Sequence, residues 1–294
     1  MALGNPVADT HGIVLPPRYE IRQISPAVAD WVLALNWYTQ ICGSAVLSGV
    51  HSGELGKATL TAYRSLRESN RHKDMPPSNG LSYMIVDKEY VFKRPESEAA
   101  GGGLYWDEID GDDTALADDQ VAKRRLREGM DFPIVSLSQW YDAGAEGDPA
   151  IWALRRRVAP MYCLTSDMLD ERDTSTLEAE VTGPGQVLLD KGTSTLEGYE
   201  GKGLMKALAH FVMREMKARG FRGIMVTCLS PEVHHVFGSP PGPLRGLTLV
   251  EMTLWDYETR DERGRVYRPL AKSKVNKGWK VWTELAGEEA LVVT

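Results

Sequence analysis

Residues 198–208 read GYEGKGLMKAL, and this run constrains the chain more than any other. Three glycines and a lysine stand between the β-type run QVLLDKGTSTL (186–196) and a helical pattern. Leu204, Leu208, Phe211, Val212 and Met216 recur at helical spacing and mark one apolar face. Lys217 and Arg219 fall in the last turn, and Gly220 fits the position just past the helix end. FRGIMVTCL (221–229) then reads as a compact strand. Strand, glycine turn, helix and strand make a βαβ unit, whose two strands run parallel. The glycines let the backbone approach a ligand closely at a helix start. The first amides of a helix lack intrahelical partners and carry the positive end of its dipole. Gly201, Lys202 and Gly203 are therefore expected to face an anion, most often a phosphate.

Two common phosphate loops do not fit. A P-loop requires GxxxxGK followed by Ser or Thr, whereas Lys202 is followed by Gly203. A dinucleotide fingerprint requires a third glycine where Lys206 stands. There is no GxSxG nucleophile elbow, and the adjacent His234 and His235 cannot share a helical face as paired metal ligands. No metal is expected.

The remaining chain gives context. YEIRQIS (19–25) reads as a strand, and Ser25-Pro26 opens a helix bearing Trp31, Val32, Leu35, Tyr38 and Ile41. A second helix is expected over 58–70, and LSYMIVDKEYVFKRP (81–95) as a two-strand hairpin. ESEAAGGG reads as a flexible connector into residues 96–182, where the acidic tract DEIDGDDTALADDQ contrasts with the later Arg155, Arg156 and Arg157. The tract reads as a solvated face, or alternatively as part of a cover that draws a cation to an active site. SPEVHHVF begins a short helix capped by Ser230, and LTLVEMTLWDY, RVYRPL and GWKVWTEL read as closing strands.

The formal net charge of −7 argues against general nucleic-acid affinity and favours a cationic substrate. Cys42, Cys163 and Cys228 are few, odd in number and widely spaced, which points to free thiols; Cys228 reads as a small buried hydrophobe. No signal-peptide pattern opens the chain and no apolar run reaches about 18 residues. A cytoplasmic or nucleocytoplasmic protein without membrane contact is expected.

YEGKGLMKALA, Tyr199 to Ala209, resembles the acyl-CoA loop of the GNAT superfamily of N-acetyltransferases. That signature is Arg or Gln, two residues, Gly, one residue, then Gly or Ala. Glu200 stands where Arg or Gln is usual, and Met205 where the second small residue is usual. The resemblance covers residues 186–238 and extends to the strand-helix-helix-strand-strand opening. It implies an α/β (α+β) fold: a mixed, mostly antiparallel sheet with a central parallel pair splayed around the acyl-CoA site, and helices on both faces. One domain over 1–294 is expected, with 96–182 inserted between the third and fourth strands.

The same resemblance implies the site. Gly201, Lys202, Gly203, Leu204 and Met205 would hold the pyrophosphate of acetyl-CoA through backbone amides, with Lys206 as a side-chain contact. Thr193, Ser194 and Thr195 would pair with the pantetheine arm and polarise the thioester carbonyl. Acyl transfer to an amine needs a base for the ammonium and an acid for the leaving thiolate. Asp190 is the candidate base. Val236 and Phe237 occupy the region where many members carry an acidic tyrosine, leaving His234 or His235 for that role. The implied function is acetyl transfer to a primary amine of a small cation. Alternatives are a protein or peptide amine as acceptor, or a non-catalytic CoA-binding scaffold.

Overall fold

The computed structural model describes residues 3–69, 80–110, 114–145, 147–177, 180–260 and 263–286. Seven strands form one sheet: β1 (Tyr19–Gln23), β2 (Tyr83–Asp87), β3 (Ile134–Asp142), β4 (Val187–Thr195), β5 (Gly223–Cys228), β6 (Arg245–Thr253) and β7 (Lys277–Glu284). Their order is β1-β2-β3-β4-β5-β7-β6. All neighbours are antiparallel except β4 and β5. That parallel ladder holds only from Val187–Gly223 to Leu189–Met225. Beyond it β4 continues to Thr195 on β3 alone, so the two central strands part and open a cleft.

The separation has a local cause. The β3–β4 register shifts between Gln139–Gly192 and Trp140–Asp190, leaving Lys191 as the extra residue of a bulge. Gly192 adopts φ +143°, and a Cβ there would lie 2.3 Å from Asn36 Oδ1. Glycine is required for this approach of β4 to the neighbouring helix.

Helices cover both faces. Helices α1 (Ala29–Trp37), α2 (Leu55–Glu68) and α3 (Asp119–Gly129) pack with Ile134 and Leu137 of β3 in one apolar cluster. Helices α4 (Pro149–Val158) and α5 (Pro160–Asp170) follow β3, with Tyr162 of α5 against that cluster. On the other face lie α6 (Leu204–Ala218) and α7 (Pro231–Gly238). Leu204, Leu208, Phe211, Val212 and Met216, the expected stripe of α6, are all buried there with Ile224, Val226 and Phe237. Gly220 has φ +89° just past the end of α6, as its sequence position suggests. The expected second helix is α2; position 70, its expected end, lies outside the described residues.

Three expectations are corrected. Residues 81–95 do not form a hairpin: β2 ends at Asp87, and the amides of Lys93 and Arg94 bond the buried Asp131 carboxylate instead. The partner of β2 is β3, drawn from within the supposed insertion. Residues 96–182 are therefore not a block outside the sheet, because Ile134–Asp142 is its third strand and lies between β2 and β4. ESEAAGGG is not a flexible connector either. Pro95–Ala100 is a short helix with proline in its first turn, Glu96 and Glu98 near its start, and Gly101 at φ +75° closing it.

Candidate active site

The cleft between β4 and β5 encloses about 1030 Å³. One rim is the glycine turn. Gly201 and Gly203 have φ +72° and +74°, and Gly203 is the N-cap of α6. A Cβ at either would meet nothing within 4 Å, so the turn presents backbone rather than packed side chains. Gly201, Gly203, Leu204, Met205 and Lys206 line the cleft. Lys202 instead turns its ammonium onto the Tyr199 ring, 4.6 Å from the centroid. Glu200 is exposed and also lines the cleft.

Tyr199 anchors this rim. Its hydroxyl donates to Asp87 Oδ2 at 2.8 Å, and Arg18 Nε donates to Asp87 Oδ1 at 2.7 Å. Burial pushes the Asp87 carboxyl up, but the Arg18 and Tyr199 hydrogen bonds outweigh it and hold the group below its ordinary range. The start of the glycine turn is thus tied to β2 by an ionised carboxylate.

The floor is β4. Thr193, Ser194 and Thr195 line the cleft, and Ser136 Oγ donates to the Ser194 carbonyl at 2.9 Å. Among the described residues, the buried Ser194 Oγ has no hydrogen-bond partner of its own. Asp190 also lines the cleft; its Oδ1 accepts from Gly192 N at 3.1 Å and Thr193 Oγ1 at 3.2 Å. Burial pushes its carboxyl up to about 6, partly opposed by those hydrogen bonds. A carboxylate poised there can exchange protons near neutrality.

The two histidines separate. His235 lines the cleft. His234 stacks on Trp279 with centroids 4.7 Å apart and its Nε2 meets Thr248 Oγ1 at 2.8 Å, so it serves packing away from the cleft. Phe237 packs edge-on against Trp140, while Val236 reaches the lining. Cys228 is fully buried, and burial pushes its thiol well above the ordinary value.

The facing wall comes from distant sequence. Thr39, Gln40 and Ser44, just after α1, stand beside Tyr162, Thr165 and Ser166 of α5. The Tyr162 hydroxyl donates to the Lys191 carbonyl at 3.3 Å, and burial pushes it up to about 12. Sequence reading missed Tyr162, and no local pattern around it signals a site. Part of 96–182 does cover the cleft through α5, but not the acidic tract. Asp118 caps α3, Asp119 accepts from Gly53 N, Asp107 pairs with Arg67, and Glu108 pairs with Arg94. Positions 112 and 113 of that tract lie outside the described residues.

No protein-family model matches the chain, and no curated protein matches it. Solved structures do. Arylalkylamine N-acetyltransferase 2 from Aedes aegypti superposes with a TM-score of 0.55 at 13% identity, over 90% of this chain and 98% of that one. The chain has the GNAT fold. The C-terminal condensation domain of Ebony, solved with beta-alanyl-dopamine, gives a TM-score of 0.54 at 13% identity with the same coverages. Agmatine N-acetyltransferase gives 0.50 at 10%, again over 90% and 98%. In this GNAT fold the parting of β4 from β5 and the glycine turn meet at one cleft. Among the described residues no His, Cys, Asp and Glu group is placed to hold a metal, and no helix is long and apolar enough to cross a membrane.

Proposed function

We propose that the protein transfers an acyl group, acetyl in the first instance, from acyl-CoA to the primary amine of a small molecule. The observation that carries this reading is the convergence on one cleft of an open glycine turn at a helix start and a β4 edge left unpaired beyond Leu189. The residues fit the cofactor: left-handed glycines with free space over them suit a pyrophosphate, and the orphan Ser194 Oγ offers a polar group on the cleft floor. Gly201 to Met205 would hold it through amides, with the Lys206 ammonium beside them. Bound there, acyl-CoA supplies an acyl carbonyl that an amine can take from sulfur.

The chain's own residues then have defined work. Asp190 accepts a proton from the acceptor ammonium and leaves a neutral amine, which its raised carboxyl suits. Amides of Thr193 to Thr195 lie along the floor, where donors aimed at a developing oxyanion are most effective. His235 and the Tyr162 hydroxyl are the cleft groups able to return a proton to the departing sulfur. Thr39, Gln40 and Ser44, opposite, shape the acceptor end. A cationic acceptor is favoured by Asp190, Glu200 and Glu232 in the lining rather than by the acidic tract. The walls on both sides of the cleft support a small acceptor over a protein chain.

The test is thiol release from acetyl-CoA across a panel of arylalkylamines, agmatine, amino alcohols and an N-terminal peptide. Saturable release with at least one small amine, abolished in Asp190→Asn, is expected. Release with the peptide alone would move the reading to a protein acceptor. Acetyl-CoA binding without release from any amine would leave a CoA-binding scaffold.

A further inference from the structure

Behind the cleft wall, two basic side chains are buried near one another and, among the described residues, no acid is bonded to either. Arg155 of α4 is 7% exposed and Lys191 of β4 is 3% exposed. Among the described residues, no hydrogen bond or ion pair reaches the Arg155 guanidinium, and its Nε is buried without a partner. Both approach the Trp152 ring: Arg155 Cζ lies 5.7 Å and Lys191 Nζ 2.8 Å from its centroid, and the Tyr141 ring centroid lies 4.1 Å from Nζ. Among the described residues, Asp190 favours the Lys191 charge electrostatically, but it bonds neither side chain. Asp190 is held by Gly192 N and Thr193 Oγ1, Tyr162 directs its hydroxyl to the Lys191 carbonyl, and burial keeps the Cys163 thiol protonated.

The same fold treats another buried cation quite differently. Lys280, also 3% exposed, meets Asp170 Oδ1 at 2.8 Å and Asp173 Oδ2 at 2.9 Å. Arg156, next to Arg155, pairs with Asp167. Burying a charge without a partner is strongly unfavourable, and aromatic faces offset only part of that. A guanidinium cannot escape by losing its proton. Its planar fork of donors beside a lysine ammonium matches a small oxyanion, which accepts from both at once.

We propose that Arg155 and Lys191 form a binding site for a small oxyanion, a carboxylate or a phosphate. The site lies behind Tyr162, which lines the catalytic cleft and bonds the Lys191 carbonyl, so its occupancy steadies the wall at the acceptor end. Burial and the neighbouring Arg155 push the Lys191 amine down to about 5; an oxyanion between the two raises it again.

Two readouts test this. Thermal unfolding of the parent, Arg155→Met and Gly203→Asp is followed in phosphate and in acetate, against chloride at matched ionic strength. A saturable gain of several degrees with either anion, kept in Gly203→Asp and lost in Arg155→Met, is expected. Response to one anion and not the other identifies which oxyanion the site takes. Arg155→Met should also unfold no earlier than the parent in chloride, because it removes an unpaired buried charge. Independently of any variant, the anion should move the Lys191 NMR titration midpoint upward by about one pH unit or more. A gain lost in Gly203→Asp and kept in Arg155→Met would place the anion at the glycine turn and overturn the proposal. An unmoved Lys191 midpoint in both anions would overturn it too.

Discussion

The two sides of the cleft are built in different ways. The glycine rim is continuous in sequence: β4, the turn, α6 and β5 span residues 187–228, and each element fixes the next. The facing wall joins residues just after α1 to α5, more than a hundred positions away, and only tertiary packing brings them together. The rim presents backbone amides with Lys206 and Glu200, whereas the wall presents uncharged hydroxyls, an amide and a tyrosine. Under the proposed function, cofactor contacts would fall to a local backbone device and acceptor contacts to side chains assembled at long range. Changes on the rim should therefore act on CoA affinity, and changes on the wall or floor on turnover and acceptor use.

The largest effect is expected at the floor. Asp190→Asn should lower kcat/KM about 10²–10⁴-fold while leaving CoA affinity within about twofold. In the parent, kcat/KM should fall as pH drops through about 6, because the base is lost on protonation. The stability consequence has the opposite sense. A carboxyl held above its unfolded value stabilises the protonated fold, and that contribution is lost as pH rises through about 6. Asp190→Asn should accordingly raise Tm at pH 7.5, with the gain shrinking toward pH 4. An activity loss with no change in the acidic limb would assign the base elsewhere.

Gly203→Asp comes next. It places a carboxylate at the N-cap of α6, where φ is +74°, and should weaken acetyl-CoA about 100-fold by calorimetry. Equal weakening of acceptor KM with CoA affinity intact would erase the distinction between rim and wall. Gly223→Ala probes the joint between β4 and β5. Its Cβ would fall 1.9 Å from Trp282 Cη2, so a loss of about 1–3 kcal/mol in denaturant unfolding is expected.

Glu200→Gln removes an exposed acid from the rim and should tighten CoA by about two- to fivefold, an effect that fades in high salt. The smallest change in activity is expected for His234→Ala, less than about twofold, because that ring stacks on Trp279 outside the cleft. His235→Ala, measured beside it, should give the larger loss of turnover. Equal effects would deny the separation of the two histidines.

The same contrast explains what could be read from residues alone. The stripe Leu204, Leu208, Phe211, Val212 and Met216, the turn glycines and the closing Gly220 are local signals, and each is where its spacing places it. β3 is hard to read because IVSLSQWYD is buried from Ile134 to Trp140, with Ser136, Ser138 and Gln139 inside, and is set among acidic and basic segments that read as surface. Lys88–Arg94 reads as a strand because of the contiguous β-prone Tyr90, Val91 and Phe92, but Asp131 captures the Lys93 and Arg94 amides. Tyr162 carries no local signature, since its role depends on α5 packing beside Thr39 to Ser44. The acidic tract suggests substrate attraction, yet Asp118 caps α3, Asp119 accepts from Gly53 N, and Asp107 and Glu108 pair with arginines.

The central claim is that the glycine turn receives the pyrophosphate of an acyl-CoA. Calorimetric titration of the unaltered protein with CoA and, separately, with pantetheine, which lacks the pyrophosphate, tests it most directly. Micromolar binding of CoA, with pantetheine weaker by about 100-fold or more, is the expected result. Equal affinity for the two, or no CoA binding at millimolar concentration by a folded protein, would contradict it.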